Sequence, residues 1–569
     1  MAAWETYLVQ RRERFLGELM EFLRIPSISA LPAHTADVQR AAQWLEARMK
    51  AAGIESVRIM PTGGHPVVYG EWLHAPGKPT LLIYGHFDTQ PVDPLNLWDH
   101  PPFEPVIQDG RIYARGATDD KGNMFIPLIV VEAMLKTGGR LPVNLKFLFD
   151  GQEEIGSPQL ADFIPAHKNL LSCDMVLSSD GGQWAEDRPA LVLGTRGLAS
   201  VFIDVQGPDH DLHSGTYGGT LLNPLHALVR ILDSMHDAEG RIAVDGFYDD
   251  VRPLSHEERA QIAKVPFDEA EYLRETGSTS LFGEPGFTTY ERAWARPTLE
   301  INGLYGGFQG EGTKTVLPSS AHAKISCRLV ADQDPSKIAD LLVRHVNKVA
   351  PQGVKVTTVN SKSGAIPYLI PPDHRGLQVA ASVLKDLYGK ESYRIRMGGT
   401  ISANALFLQA LGTYTIIFAF GLQDERSHSP NEFFRLSGYE RGQKAYGMLL
   451  NRLGESPGKR GRGGDPQKRR ESVADRAMRP VGVERMGPSS GAVFPFFHNR
   501  SLLFGRRACL RSRHPPHRDP PGGYQTGRCM LYTGLGSGIA YVHPWGASGG
   551  KIPDGLRGAK GHLRWPARD

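Results

Sequence analysis

Through residues 1–455, short apolar runs alternate with stretches in which apolar residues recur every three or four positions; neither pattern persists beyond Ser456. Runs at Thr80–Tyr84, Val143–Phe149, Asp174–Leu177 and Thr415–Phe420 have the length and continuity of strands buried on both faces. Between such runs, Asp37–Ala52 carries Val38, Ala41, Ala42, Leu45 and Met49 at helical spacing and stops at Gly53, a residue suited to the left-handed turn that closes a helix. Alternating strands and helices predict an α/β domain built on a mainly parallel sheet flanked by helices.

The texture changes after Gly194-Thr195-Arg196-Gly197. Ala199–Gln206 and His322–Val330 alternate apolar with polar residues, as strands of a half-exposed antiparallel sheet do. Between them, Asn223-Pro224 opens a helix with Leu225, Leu228, Val229 and Leu232 placed on one face. The expected organisation is an α/β domain in two parts, 1–197 and 372–455, with a smaller α+β domain, 198–371, inserted between them. A length of 569 residues agrees with more than one core.

Charge divides the chain at the same place as patterning. Residues 456–569 hold 21 Lys and Arg against 7 Asp and Glu, a net of +14; the overall +4 therefore leaves −10 for residues 1–455. The tail is rich in Arg, Gly and Pro and is expected to be disordered. A nucleic-acid arm would suit its charge, but apolar segments such as Gly491–Phe497 do not suit a solvated arm. An extension of frameshift or read-through origin accounts for it better, and it is given no catalytic role. No apolar run spans a bilayer, and the first residues lack the pattern of a secretory signal, so a cytoplasmic protein is expected. The four cysteines, Cys173, Cys327, Cys509 and Cys529, form no CxxC pair; a metal would have to sit on His and carboxylates.

Four polar clusters follow apolar strands or enter helices: Gly85-His86-Phe87-Asp88, Ala117–Gly122 with Asp119-Asp120, Gly151-Gln152-Glu153-Glu154, and Ser178-Ser179-Asp180-Gly181-Gly182. A fifth, Ser427-His428-Ser429-Pro430-Asn431-Glu432, follows the run that ends at Phe420. The carboxyl ends of strands in an open α/β sheet form its binding crevice, so distant clusters can meet there. Two His with several carboxylates and no thiolate suit a pair of divalent cations, Zn²⁺ first, with Mn²⁺ or Co²⁺ as substitutes. Such a pair needs a bridging carboxylate. Adjacent Glu153 and Glu154 can both face it only on a turn, which Gly151 and Gly156 permit; which of the two ligates and which acts as base is open on composition alone.

Each cluster also has a plainer explanation. Asp119-Asp120 could cap the helix running through Val131–Leu135. Glu153-Glu154 and Asp180-Gly181 could be exposed turns, and His428 could cap a helix at Asn431. Trp98 and Trp184 suit core packing.

All five clusters, in order over about residues 1–455, resemble the zinc peptidases and deacylases that include carnosinase-like dipeptidases, succinyl-diaminopimelate desuccinylase and acetylornithine deacetylase, and the dipeptidase branch above all. The resemblance implies His86 and Asp180 on one metal, Glu154 and His428 on the other, and Asp119 bridging both through a cis Asp119-Asp120 peptide. It makes Asp88 an orienting carboxylate behind His86 and Glu153 the general base. Asp211–Gly219 resembles the segment whose His, here His213, crosses a dimer interface to steady the oxyanion. Arg328 matches a substrate-carboxylate receptor, with Thr315, Gly398, Gly399 and Thr400 as further contacts; for both residues a loop histidine and a surface ion pair are the plain alternatives. The resemblance makes the two-part domain, 1–197 and 372–455, catalytic and the inserted domain, 198–371, a lid or dimerisation domain, and the activity it implies is hydrolysis of the amide bond of dipeptides or short peptides by a homodimer. The rivals are an N-acyl amino acid deacylase with the same machinery, and a non-catalytic metal-binding protein with a nucleic-acid-binding tail.

Overall fold

The computed structural model describes residues 1–360 and 364–455; the expectations for the tail, 456–569, lie outside them. A six-stranded sheet organises the larger part, in the order Glu55–Met60, Val67–Trp72, Asn144–Asp150, Thr80–His86, Met175–Ser178, Thr415–Ile417. The last four strands are parallel, and the two at the other edge are antiparallel. Its interior strands are buried along nearly their whole length, which is why they read as unbroken apolar runs. Thr35–Ala52 is a helix closed by Gly53 at φ 92°, and all five apolar residues singled out above are buried in the main core.

The apolar run at Thr415–Phe420 overshoots its strand. Pairing with Met175–Ser178 ends at Ile417; beyond it, Phe418 donates its N–H to Ser178 O at 2.8 Å and Phe420 to the Asn123 side chain at 2.8 Å. Burial keeps these residues apolar after the ladder has stopped, so hydropathy alone could not mark the end.

A second, antiparallel sheet runs Thr298–Gly306, Ser320–Leu329, Gly197–Gln206, Lys355–Asn360. Helices Pro224–Asp233 and Pro335–Val349 cover one face and enclose a core of their own. Each helix has Pro in its first turn and a capping side chain, Asn223 to Leu225 N and Asp334 to Lys337 N. The face of the first helix is rotated from the expected one: Ala227, Leu228, Ile231 and Leu232 are buried, whereas Val229 is exposed. The segment before the Thr298 strand also folds into helices His256–Ile262, Glu269–Thr276 and Thr289–Ala295, which no periodicity had announced.

Strands Ala190–Thr195 and Tyr393–Met397 pair in parallel and bring Arg196 beside the Gly398-Gly399-Thr400 loop. Trp184 packs edge-on against Tyr290, Trp294 and Tyr393, and Trp98 lies under the Arg115 guanidinium; both act as packing. Among the described residues no helix is long and apolar enough to cross a membrane.

Candidate metal centre

His86 is the last residue of the strand Thr80–His86 and is fully buried. Its Nε2 lies 3.0 Å from Asp119 Oδ1, while His428 Nε2 lies 3.0 Å from the other oxygen, Asp119 Oδ2. One carboxylate thus faces an imidazole on each side. His428 Nε2 is also 3.1 Å from Glu154 Oε2. Two overlapping groups result, His86/Asp119/Asp180 and Asp119/Glu154/His428, each with candidate ligand atoms within 4.8 Å of one another. Five residues from five separated clusters converge, and Asp119 belongs to both groups.

Local structure explains how each arrives. The Asp119–Asp120 peptide is cis. Asp120 precedes the helix Lys121–Gly138 but makes no side-chain cap; instead its Oδ2 accepts from His86 N at 3.1 Å and Ser179 Oγ at 3.0 Å, tying three of the clusters together. Gly85 makes room for this, since a Cβ there would lie 2.6 Å from that same oxygen. Glu153 and Glu154 open a 3₁₀ turn, Glu153–Ile155, closed by Gly156 at φ 88°. Both of their amides donate to Asp88, Glu153 N to Oδ1 and Glu154 N to Oδ2, each at 3.1 Å. Asp88 Oδ1 also lies 3.4 Å from His86 Nδ1, so Asp88 orients the turn more directly than the imidazole. His428 sits at φ 61° in a loop that leads into the strand Phe433–Arg435; no helix begins at Asn431, so capping is not its role.

Three further residues support the centre, and of these only Glu432 fell within a polar cluster of the sequence, without a role there. Gln90 Nε2 donates to Glu154 Oε2 at 2.8 Å. Glu432, fully buried, accepts from Arg115 Nη1 at 2.8 Å and from the backbone N–H of Gly116, Thr118 and Asp119 at 2.9, 3.0 and 3.1 Å. Glu425 accepts from Thr118 Oγ1 at 2.8 Å. Only contacts spanning some three hundred residues give Glu432 and Glu425 these roles.

The electrostatics call for positive charge. Burial disfavours a charged His86, yet hydrogen bonds to Asp119 and Asp88 and the nearby Glu153 push it well above the ordinary imidazole value. Hydrogen bonds to Asp119 and Glu154 push His428 up to about 10. Burial would raise Asp119, but His428 and His86 hold it well below the usual carboxylate range. Burial raises Asp180 to about 7 against the pull of His86, with Asp119 and Glu154 adding to the rise, and burial together with Asp180, Glu154 and Asp88 pushes Glu153 well up. A cleft that runs from buried His86 to exposed His428, raises both imidazoles and crowds this many carboxylates together has the chemistry of a cation site. Its imidazole and carboxylate donors fit two divalent cations that share Asp119.

Among the described residues the remaining candidates make no hydrogen bond or ion pair with this cluster. Arg328 Nη1 donates to Thr400 Oγ1 at 2.7 Å, which joins the inserted sheet to the Gly398–Thr400 loop. His213 is exposed and accepts from Gly215 N through its own Nδ1 at 3.0 Å, the backbone-satisfied loop arrangement. Its neighbour across a two-stranded ladder is Val316, and Ser214 N donates to Thr315 O at 3.1 Å. His213 and Thr315 are therefore presented together, with no hydrogen bond from His213 to the cluster among the described residues.

With this geometry in view, the profile of peptidase family M20/M25/M40 matches residues 82–452. The chain belongs to that family. Within it, the chain is 31% identical over 471 residues to the Cys-Gly metallodipeptidase of Saccharomyces cerevisiae, covering 78% of this chain and 96% of the yeast protein. It is 30% identical over 465 residues to the Beta-Ala-His dipeptidase of Homo sapiens, covering 78% and 91%. The solved structure of an M20 family metallo-carboxypeptidase from Sulfolobus solfataricus superposes with a TM-score of 0.70 at 33% identity, covering 78% of this chain and 99% of that one. This M20 peptidase thus has its metal-centre candidates within the region shared with its relatives.

Proposed function

We propose that this M20 peptidase is a dipeptidase that hydrolyses the amide bond of dipeptides or short peptides at a centre of two divalent cations. The carrying observation is the Asp119 carboxylate, with one oxygen 3.0 Å from His86 and the other 3.0 Å from His428. His86, Asp119 and Asp180 would hold one cation, and Asp119, Glu154 and His428 the other; Zn²⁺ suits the donors, with Mn²⁺ or Co²⁺ able to replace it. When bound, the pair would supply Lewis-acid polarisation of the scissile carbonyl and acidify a water.

The chain's own residues do the rest. Glu153, beside the shared site and held by Asp88 through its amide, takes the proton from water and returns it to the departing amine nitrogen. Burial and the carboxylates of Asp180, Glu154 and Asp88 push its pKa up when no cation is bound, and a neighbouring cation pulls it back toward the ionised form that a base needs. Arg328, with Thr400, Gly398, Gly399 and Thr315, holds the substrate carboxylate and fixes the amide against the centre. His213 donates to the oxygen on which charge accumulates. Being exposed in its own subunit, it does so across the two-fold axis of a homodimer formed through the inserted domain, 198–371. Phe202, Ile301, Leu304, Tyr305 and Val359, all exposed on that domain's sheet, supply the apolar surface such an interface uses.

Dipeptides are favoured over N-acyl amino acids because the Saccharomyces cerevisiae and Homo sapiens relatives are dipeptidases by name. A panel of dipeptides with N-acetyl and N-succinyl amino acids, scored by released amine alongside metal stoichiometry, tests this. Faster cleavage of the acyl amino acids would make the protein a deacylase, and no cleavage with no bound metal would end the proposal. The cytoplasm is the proposed compartment, to be checked by cell fractionation.

A further inference from the structure

Arg196 lies where the strand Ala190–Thr195 passes into the inserted sheet, and it is bonded to every residue of the Gly398-Gly399-Thr400 loop. Its Nε donates to Gly398 O at 2.9 Å, its backbone N–H donates to Gly399 O at 2.9 Å, and its carbonyl accepts from Thr400 Oγ1 at 2.6 Å. The same Thr400 oxygen receives Arg328 Nη1 at 2.7 Å. Two guanidiniums are thus anchored on one short loop, one from each side.

Among the described residues no carboxylate forms an ion pair with Arg196 or Arg328, whereas Arg252, Arg296 and Arg396 each pair with a glutamate. Arg196 Nη1 is buried with no hydrogen-bond partner. Burial and the neighbouring Arg328 charge together push Arg196 down to about 10, with Glu300 offsetting part of the fall. A buried guanidinium donor left unpaired beside a like charge is costly. An anion that binds between the two removes both penalties at once. The loop also leaves room for this guanidinium: a Cβ on Gly398 would lie 3.2 Å from Arg196 Nη2.

We propose that Arg196 is a second guanidinium of the substrate-carboxylate subsite, acting beside Arg328 so that the enzyme selects peptides with a free, ionised C-terminus. This rests on the dipeptidase reading for its substrate class. The two backbone bonds hold Arg196 against the loop and the bond from Nε fixes its head group before substrate arrives, so little rotamer freedom is lost when the carboxylate is bound.

The test uses the full, metal-loaded chain and a dipeptide isostere with a reduced, uncleavable amide, offered as the free acid and as its C-terminal amide. Calorimetric titration is expected to show wild type preferring the acid, and Arg196→Gln cutting that preference about tenfold to a hundredfold, the worth of a charge-assisted hydrogen bond. The loss falls on the acid alone, and Arg196→Lys recovers part of it. With cleavable substrates, KM for the dipeptide rises while kcat changes little. Gly398→Ala, which displaces the guanidinium without removing it, gives a smaller loss of the same selectivity. Equal weakening of acid and amide in Arg196→Gln would reduce Arg196 to a clamp for the loop and overturn the proposal, as would a wild type that binds both forms alike. Failure to cleave any dipeptide would instead sink the dipeptidase reading, because the binding preference is measured without turnover.

Discussion

Replacing Glu432 with Gln removes one charge and leaves the shape of the side chain, which makes it a clean probe of how the bridging carboxylate is held. Four donors converge on the native carboxylate: Arg115 Nη1 and the backbone N–H groups of Gly116, Thr118 and Asp119. A glutamine has one acceptor oxygen to share among them and turns an NH₂ group toward the others. At least one buried amide then goes unpaired, at about 1–3 kcal/mol. Arg115, only 2% exposed in its side chain, loses its counter-charge, a change that costs about 3–5 kcal/mol when one partner of a buried pair is removed. These penalties share a network and do not add fully, so about 3–5 kcal/mol is expected in denaturant unfolding of the metal-free protein. Because Asp119 N is one of the four donors, cation affinity should also fall, by about tenfold to a hundredfold as for other outer ligand-orienting groups. A Glu432→Gln protein within about 0.5 kcal/mol of wild type, the range of an ordinary surface change, and with unaltered metal affinity would refute this account of the loop.

Glu153→Gln should bind the full complement of cations yet lose about 10²- to 10⁴-fold in kcat, the range for a general acid–base group; unchanged turnover would remove Glu153 from that role. Mixing inactive His213→Ala and Glu153→Gln proteins should restore about a quarter of wild-type activity through heterodimers with one intact composite site, if the two-fold interface is isologous; no recovery on confirmed subunit exchange would place His213 outside the partner's site. Chelation should lower the unfolding midpoint as well as activity, since cations at a hundred times Kd stabilise by about 2.7 kcal/mol, and an unshifted melting curve would contradict a folded-state site. For acid stability, burial alone would raise the Glu132 carboxyl, but Arg14 and Arg48 outweigh it and hold it below the ordinary range. Its contribution is complete above the unfolded value of about 4.3 and is lost as pH falls through the lowered native value. Glu132→Gln should therefore flatten part of the acid limb of the stability profile, and an unchanged limb would count against the pairing.

The residues that converge at the centre were visible in the sequence because each sits at a place the fold marks locally. His86 ends an apolar strand, Asp119 precedes a helix, and Glu153-Glu154 is framed by two glycines. Two of the plain explanations fail on geometry: Asp120 turns its oxygen to His86 N and Ser179 rather than to the helix it precedes, and no helix begins at Asn431 for His428 to cap. Glu432 and Gln90 left no comparable trace, since their partners are fixed only when remote segments meet. Val229 misled for a related reason: a four-residue apolar pattern at period 3.6 defines a face only to within one position, and packing against the sheet selected Ala227 and Ile231 instead. Arg196 was named only as part of a boundary, because its significance lies in a bond to each residue of a loop two hundred positions away.

Anomalous X-ray scattering at the zinc absorption edge, on crystals of the zinc-loaded protein, tests the shared carboxylate most directly. Two peaks about 3.5–4 Å apart are expected, one beside His86 and Asp180, the other beside Glu154 and His428, with Asp119 between them. A single peak, or two peaks with Asp119 bound to one alone, would contradict a cation pair joined through that side chain.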